Sequence, residues 1–77
     1  MVNKNIAISE TGFVFNPLTG DSFSTNAVGR LILSELQKGA TNEDIKQTVS
    51  QTFAVDYSTL ERDFDDFIMM LKSYQII

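Results

Sequence analysis

The sequence predicts a small α+β domain: a three-stranded antiparallel sheet followed by three helices. Two observations carry this. Up to Thr25 the chain alternates short β-rich runs with turn signals, and beyond it apolar residues recur at helical spacing. A sheet with one apolar face also needs a covering layer, which the helices supply.

Each element has a local reason. Ile6 and Ile8 alternate with Ala7 and Ser9, and Phe13-Val14-Phe15 is a second β-rich run. Ser9-Glu10-Thr11-Gly12 reads as the turn between them. Asn16-Pro17-Leu18-Thr19-Gly20 is a second turn, with proline pre-setting φ early and glycine tolerating positive φ at the end. Asp21-Ser22-Phe23-Ser24 then returns as a third strand, and short connections make the three a meander with this strand at an edge.

Thr25 or Asn26 caps helix one. Val28, Leu31, Ile32 and Leu36 form its stripe, Gly39 suits the left-handed position after its last turn, and Leu33 widens the apolar surface. Helix two opens at Thr41 with Asp44 three residues later, a near capping box, and Ile45, Val49, Thr52 and Phe53 are its inner stripe. Helix three begins near Asp56 or Ser58, with Ser58 and Glu61 as a capping-box pair. Tyr57, Leu60, Phe64, Phe67, Leu71 and Tyr74 share one face, and Gln75-Ile76-Ile77 is an apolar tail expected to fold back.

The chain has 77 residues, one domain's worth, with no repeat or linker, so residues 1–77 read as a single domain. It has no cysteine and no histidine, which removes disulfides, thiolate zinc sites and the commonest general base. No catalytic combination is legible, and the chain reads as a non-enzyme. Asp63, Asp65 and Asp66 do not make a metal site, because Asp65 projects away from the other two on a helix. Net charge is -4, and the six basic residues are scattered, which argues against nucleic acid. Met1-Val2-Asn3-Lys4-Asn5 does not read as a signal peptide, and no apolar stretch approaches the ~20 residues of a membrane span. A cytoplasmic protein is expected.

In order and spacing, several of these segments match one family. Asn16-Pro17-Leu18-Thr19-Gly20 forms the strand-pair turn, and Ser24-Thr25-Asn26 opens helix one. Gly39-Ala40-Thr41-Asn42-Glu43-Asp44-Ile45 forms the junction into helix two, and Phe53-Ala54-Val55-Asp56 is the connector. The run from Asp63-Phe64 to Leu71 lies on helix three. In these features the chain resembles the PqqD family of pyrroloquinoline quinone biosynthesis and, more broadly, peptide-recognition domains of peptide-modifying systems. It departs at Ser24-Thr25-Asn26, where the family usually has Leu-Asn, and in its Tyr74-Gln75-Ile76-Ile77 ending.

The resemblance implies a winged-helix-like domain, with no bound cofactor, that acts in the cytoplasm. It implies a precursor peptide added as an extra strand beside strand three, with helix three as the other wall. The peptide would then pass to a modifying enzyme, often a radical S-adenosylmethionine enzyme.

The residues make such a mode physically reasonable. An edge strand carries unpaired N–H and C=O groups, and Asp21, Ser22, Phe23 and Ser24 include no proline or lysine to block pairing. Met70 lies off the main stripe of helix three, with Asp63 and Asp66 on the same flank. Phe23 and Met70 would give apolar contact, and Asp63 and Asp66 selectivity for a nearby lysine or arginine. Two alternatives stand beside this reading. One is a nucleic-acid-binding winged helix. The other is a self-associating module, in which Leu33 and the open strand edge would build a homodimer.

Overall fold

A computed structural model describes residues 2–77. Strands β1 (Ala7–Ile8), β2 (Phe13–Phe15) and β3 (Ser22–Ser24) precede helices α1 (Ala27–Gln37), α2 (Asn42–Phe53) and α3 (Tyr57–Ser73). The sheet is antiparallel in the order β1-β2-β3, with Ala7 opposite Phe15, Val14 opposite Phe23, and Phe13 opposite Ser24. The expected meander and helix order are both present.

Strand alternation sorts the side chains. Val14 is fully buried and Phe23 half-buried on the inner face, whereas Phe13, Phe15, Ser22 and Ser24 are exposed on the outer one. The two turns rest on glycines at positive φ, Gly12 at 91° and Gly20 at 79°. Asp21 lies just before β3 rather than in it, and its carbonyl accepts from the Asn16 N–H at 2.9 Å.

Helix starts follow cap chemistry. The Asn26 side chain accepts from the Gly29 N–H and that of Thr41 from the Asp44 N–H. The α3 cap is Asp56, not Ser58. The Asp56 carboxylate accepts from the Thr59 N–H, and the Ser58 hydroxyl donates to it. Glu61 is therefore free for another role, an ion pair with Lys46 at 3.7 Å. A carboxylate one residue before the first helical turn out-competes a hydroxyl inside it, because it accepts several donors at once and suits the helix dipole.

The core joins Val14 of the sheet to Ile32, Leu33 and Leu36 of α1, Ile45 and Val49 of α2, and Leu60, Phe64 and Leu71 of α3. Two expectations need correction. Thr52 and Phe53 are exposed, in the last turn of α2, which ends at Ala54 in the left-handed conformation (φ 52°). Lys46 of α2 does reach α3, with its ammonium 5.3 Å from the centre of the Phe64 ring. Leu33 is completely buried, so it offers no surface to a second copy.

The tail closes the fold. The chain reverses at Gln75 (φ 58°), and the Ile76 N–H donates to the Leu71 carbonyl, which buries Ile76. The Asn3 N–H in turn donates to the Ile76 carbonyl at 2.8 Å. No described helix is long and apolar enough to cross a membrane.

Candidate functional site

The free edge of β3 is set by ladder phase. The Asn16 N–H donates to the Asp21 carbonyl and the Thr25 N–H to the Gly12 carbonyl. Bonded pairs recur at every second residue of an antiparallel ladder. The pair between them, Val14 and Phe23, therefore directs its backbone groups inward between β2 and β3. Ser22 and Ser24 direct theirs outward, to the edge with no strand beside it. A strand added there would meet two N–H and two C=O groups on small side chains.

Phe23 fixes this edge against α3. Its ring centroid lies 5.2 Å from that of Tyr74, the residue after the last α3 turn. The next stretch of chain approaches α3 closely as well. A Cβ at Gly29 would sit 1.9 Å from the Thr25 hydroxyl oxygen and 3.2 Å from the Phe67 ring. Glycine at this point lets the first turn of α1 press against both.

Beyond that contact lies a cavity of about 510 Å³ between α1 and α3. Val28, Gly29 and Ile32 line it from α1, and Leu60, Phe64 and Phe67 from α3. Asn26, Asp63, Asp66 and Met70 also line it. Asp63 and Asp66 are exposed and Met70 is half-buried. No lysine or arginine contributes to the lining, and neither aspartate takes part in an ion pair among the described residues.

The candidate residues thus separate into two groups. Asp63, Asp66 and Met70 are brought together at the cavity. Ser22, Phe23 and Ser24 form the edge, which contributes nothing to the cavity lining. Asp21 belongs to neither, since its carbonyl is used by Asn16. Sequence reasoning missed Asn26, Gly29 and Tyr74 as parts of this surface. Asn26 was legible as a cap, but only the Thr25–Gly29–Phe67 approach shows that the cap stands at the cavity.

Two groups at the start of α3 have shifted acidity. Asp56 is held below the usual carboxylate range by the hydroxyl of Ser58 and the N–H and hydroxyl of Thr59. The Tyr57 phenol is pushed up to about 12, chiefly by its hydrogen bond to the Glu43 carboxylate. Both belong to the α2–α3 junction and serve the fold.

Comparison with known proteins bears on the family and the fold. A solved structure described as TbiB1 in complex with the TbiA(beta) leader peptide is similar over 97% of this chain and 91% of its own. The two share 27% identity and a TM-score of 0.86. No curated protein sequence matches the chain. The family model for coenzyme PQQ synthesis protein D (PqqD) matches residues 12–77, which include β2, β3, all three helices and the tail. That span is most of the chain, which belongs to the PqqD family.

Proposed function

We propose that the chain, as one winged-helix-like domain, is a non-catalytic module that captures a precursor peptide by strand addition and presents it to a modifying enzyme. The observation that carries this is the outward row of backbone groups at Ser22 and Ser24, on an edge that packs against the end of α3 through Phe23 and Tyr74. Main-chain bonds give affinity in such an arrangement, and side-chain pockets give selectivity. The similarity to a protein solved with a leader peptide, and the family itself, support a ribosomally made peptide as the ligand. Phe23 and Met70 supply apolar contact, and Asp63 and Asp66 favour a basic residue. A radical S-adenosylmethionine enzyme is the expected recipient, and the cytoplasm the expected compartment.

The test is Ser24→Pro. Proline removes the outward N–H and blocks the edge, yet leaves the β2–β3 bonds intact, because Ser24 does not donate to β2. The variant should keep its circular dichroism and lose binding to peptides selected by the wild-type chain from a displayed random library. Unchanged binding sinks strand addition. A second copy is the competing occupant of the edge. In that case light scattering over a dilution series would show a dimer that Ser24→Pro converts to monomer.

A further inference from the structure

We propose that the outer face of the sheet, centred on Phe13 and Phe15, is where the modifying enzyme docks, through an uncharged apolar recess that takes both rings. The inference rests on peptide capture at the β3 edge and adds the surface that meets the recipient enzyme.

A solvated sheet face normally carries polar side chains opposite the packed ones. Here the outward positions are Ala7 on β1, Phe13 and Phe15 on β2, and Ser22 and Ser24 on β3. None of the five is charged, in a chain of net charge -4. Phe13 is 47% exposed and Phe15 37%. Their ladder partners explain why. Phe15 stands between Ala7 and Ser22, and Phe13 opposite Ser24, side chains too small to cover a ring. Leu18, in the turn of the same hairpin, is 65% exposed. Elsewhere among the described residues, large apolar side chains are exposed singly, Phe53 at the end of α2 and Met69 on α3. A lone exposed residue needs no explanation, whereas neighbouring rings on an uncharged face mark a contact surface.

Size and charge select the occupant. At these exposures the two rings together offer roughly 130–210 Å², taking about 150–250 Å² for a whole aromatic side chain. A stable pair of copies needs about 800 Å² from each partner. Two of these sheets stacked face to face fall well short of that, and two chains of net charge -4 repel each other. A small patch with two aromatic anchors suits transient docking on a larger protein instead. Residues two apart on a strand are separated by about 7 Å, so one recess spans both rings. That recess is uncharged, because a charge pressed against this face would lose its water and find no partner. Position then selects the enzyme among larger proteins. Ser22 and Ser24 turn their side chains to this face and their backbone groups to the open edge, so the two surfaces share a boundary. A protein seated on the rings stands beside a peptide held at the edge, as delivery requires.

Photocrosslinking in the cell that makes the chain tests this, with p-benzoylphenylalanine in place of Phe13 or, as a control, of Met69. Ultraviolet light should couple the chain to a peptide-modifying enzyme from the first position and not from the second, the coupled protein being identified by mass spectrometry. That enzyme, purified, should bind the chain carrying Phe13→Thr with Phe15→Thr at least about tenfold more weakly than wild type, the effect of losing central aromatic anchors. Threonine suits a strand, so the double variant should keep its circular dichroism and its affinity for peptides selected by the wild-type chain. Phe13→Thr alone, at the more exposed ring, should give a smaller loss in the same direction, and it carries the test if the double variant misfolds. Coupling to a second copy, or to no modifying enzyme, overturns the inference. So does unchanged enzyme binding, or an equal loss of peptide binding in a folded variant. These outcomes leave strand addition standing, because Ser24→Pro tests it separately. Continued peptide capture by Ser24→Pro, or no peptide enriched by the wild-type chain, overturns the capture reading and this inference with it.

Discussion

The buried side chain of Asn16 donates to the Tyr74 carbonyl at 3.2 Å and also to that of Gln75 at 3.4 Å, tying the β2–β3 turn to the end of α3. Its Oδ1 accepts from the Leu18 N–H at 3.0 Å, so one amide organises the turn and satisfies helix-end carbonyls. Asn16→Leu keeps the volume and removes both roles. It should cost about 1–3 kcal/mol, the penalty for leaving buried polar groups unpaired. Urea denaturation should show a lower midpoint with an unchanged slope.

Gly12 and Gly20 share a positive φ but not an environment. A Cβ at Gly12 would lie 2.3 Å from the Thr25 carbonyl oxygen, whereas one at Gly20 would meet nothing within 4 Å. Gly20→Ala should cost about 1 kcal/mol, the left-handed penalty alone. Gly12→Ala should cost clearly more, because the end of β3 must shift. The same shift should weaken peptide binding in Gly12→Ala and leave it intact in Gly20→Ala. Equal losses in thermal melts would show that Thr25 yields without resistance.

Phe64 and Met69 set the phase of α3. Phe64 is 1% exposed and Met69 69%. Phe64→Ala should cost about 3–5 kcal/mol, and Met69→Ala within about 0.5 kcal/mol of nothing. Chemical denaturation of the two variants separates them directly.

Periodicity made Phe64 and Leu71 legible as core, and hydroxyl or amide residues ahead of apolar runs marked the Asn26 and Thr41 caps. These signals are local, so the sequence displays them. Asn16 was not legible, because Asn-Pro-Leu-Thr-Gly reads as a surface turn and its partners lie 58 and 59 residues away. Phe53 looked like an inner residue from spacing alone, but Ala54 ends the helix in a conformation that glycine, not alanine, advertises. Lys46 gave no sign of lying over Phe64, since a lysine stem packs by position rather than by pattern. The strand edge was legible from the order of turns. The cavity was not, because it depends on how closely Gly29 approaches Phe67.

The two shifted groups predict opposite pH limits. Asp56 has its folded pKa lowered from 3.8, so its contribution is present above the unfolded value and lost as pH falls through the folded one. Tyr57 has its pKa raised from 10.0 to about 12, so its contribution is present below 10 and lost as pH rises toward 12. Asp56→Asn keeps a capping side chain without a titrating one. Relative to wild type, its stability should fall less between pH 4 and the acid limit. Tyr57→Phe should flatten the alkaline limb in the same way. Guanidinium midpoints measured across pH decide both, and parallel curves for wild type and variant would show that the shift carries no stability.

The phase of β3 makes a finer prediction than loss of binding. The Phe23 amide faces β2, and the Ser22 and Ser24 amides face outward, so hydrogen exchange in the free chain should protect the first and leave the other two fast. A peptide paired along the edge needs donors from Ser22 and Ser24 and nothing from Phe23. On adding a selected peptide, exchange at the two serines should slow sharply, while Phe23 changes little because it is already bonded. Asp66 and Met70 amides should shift in NMR spectra without gaining protection, since they belong to a helix whose bonds are complete. The opposite pattern, with slowing at β1 and none at the two serines, would place the peptide on the other edge of the sheet. Binding with no change at either edge would assign capture to the α1–α3 cavity alone. A displacement by one residue, protecting Phe23 and Thr25 instead, would mean that the β2–β3 register itself changes on binding. The Asn16–Asp21 and Gly12–Thr25 bonds fix that register from both ends and hold against such a slip.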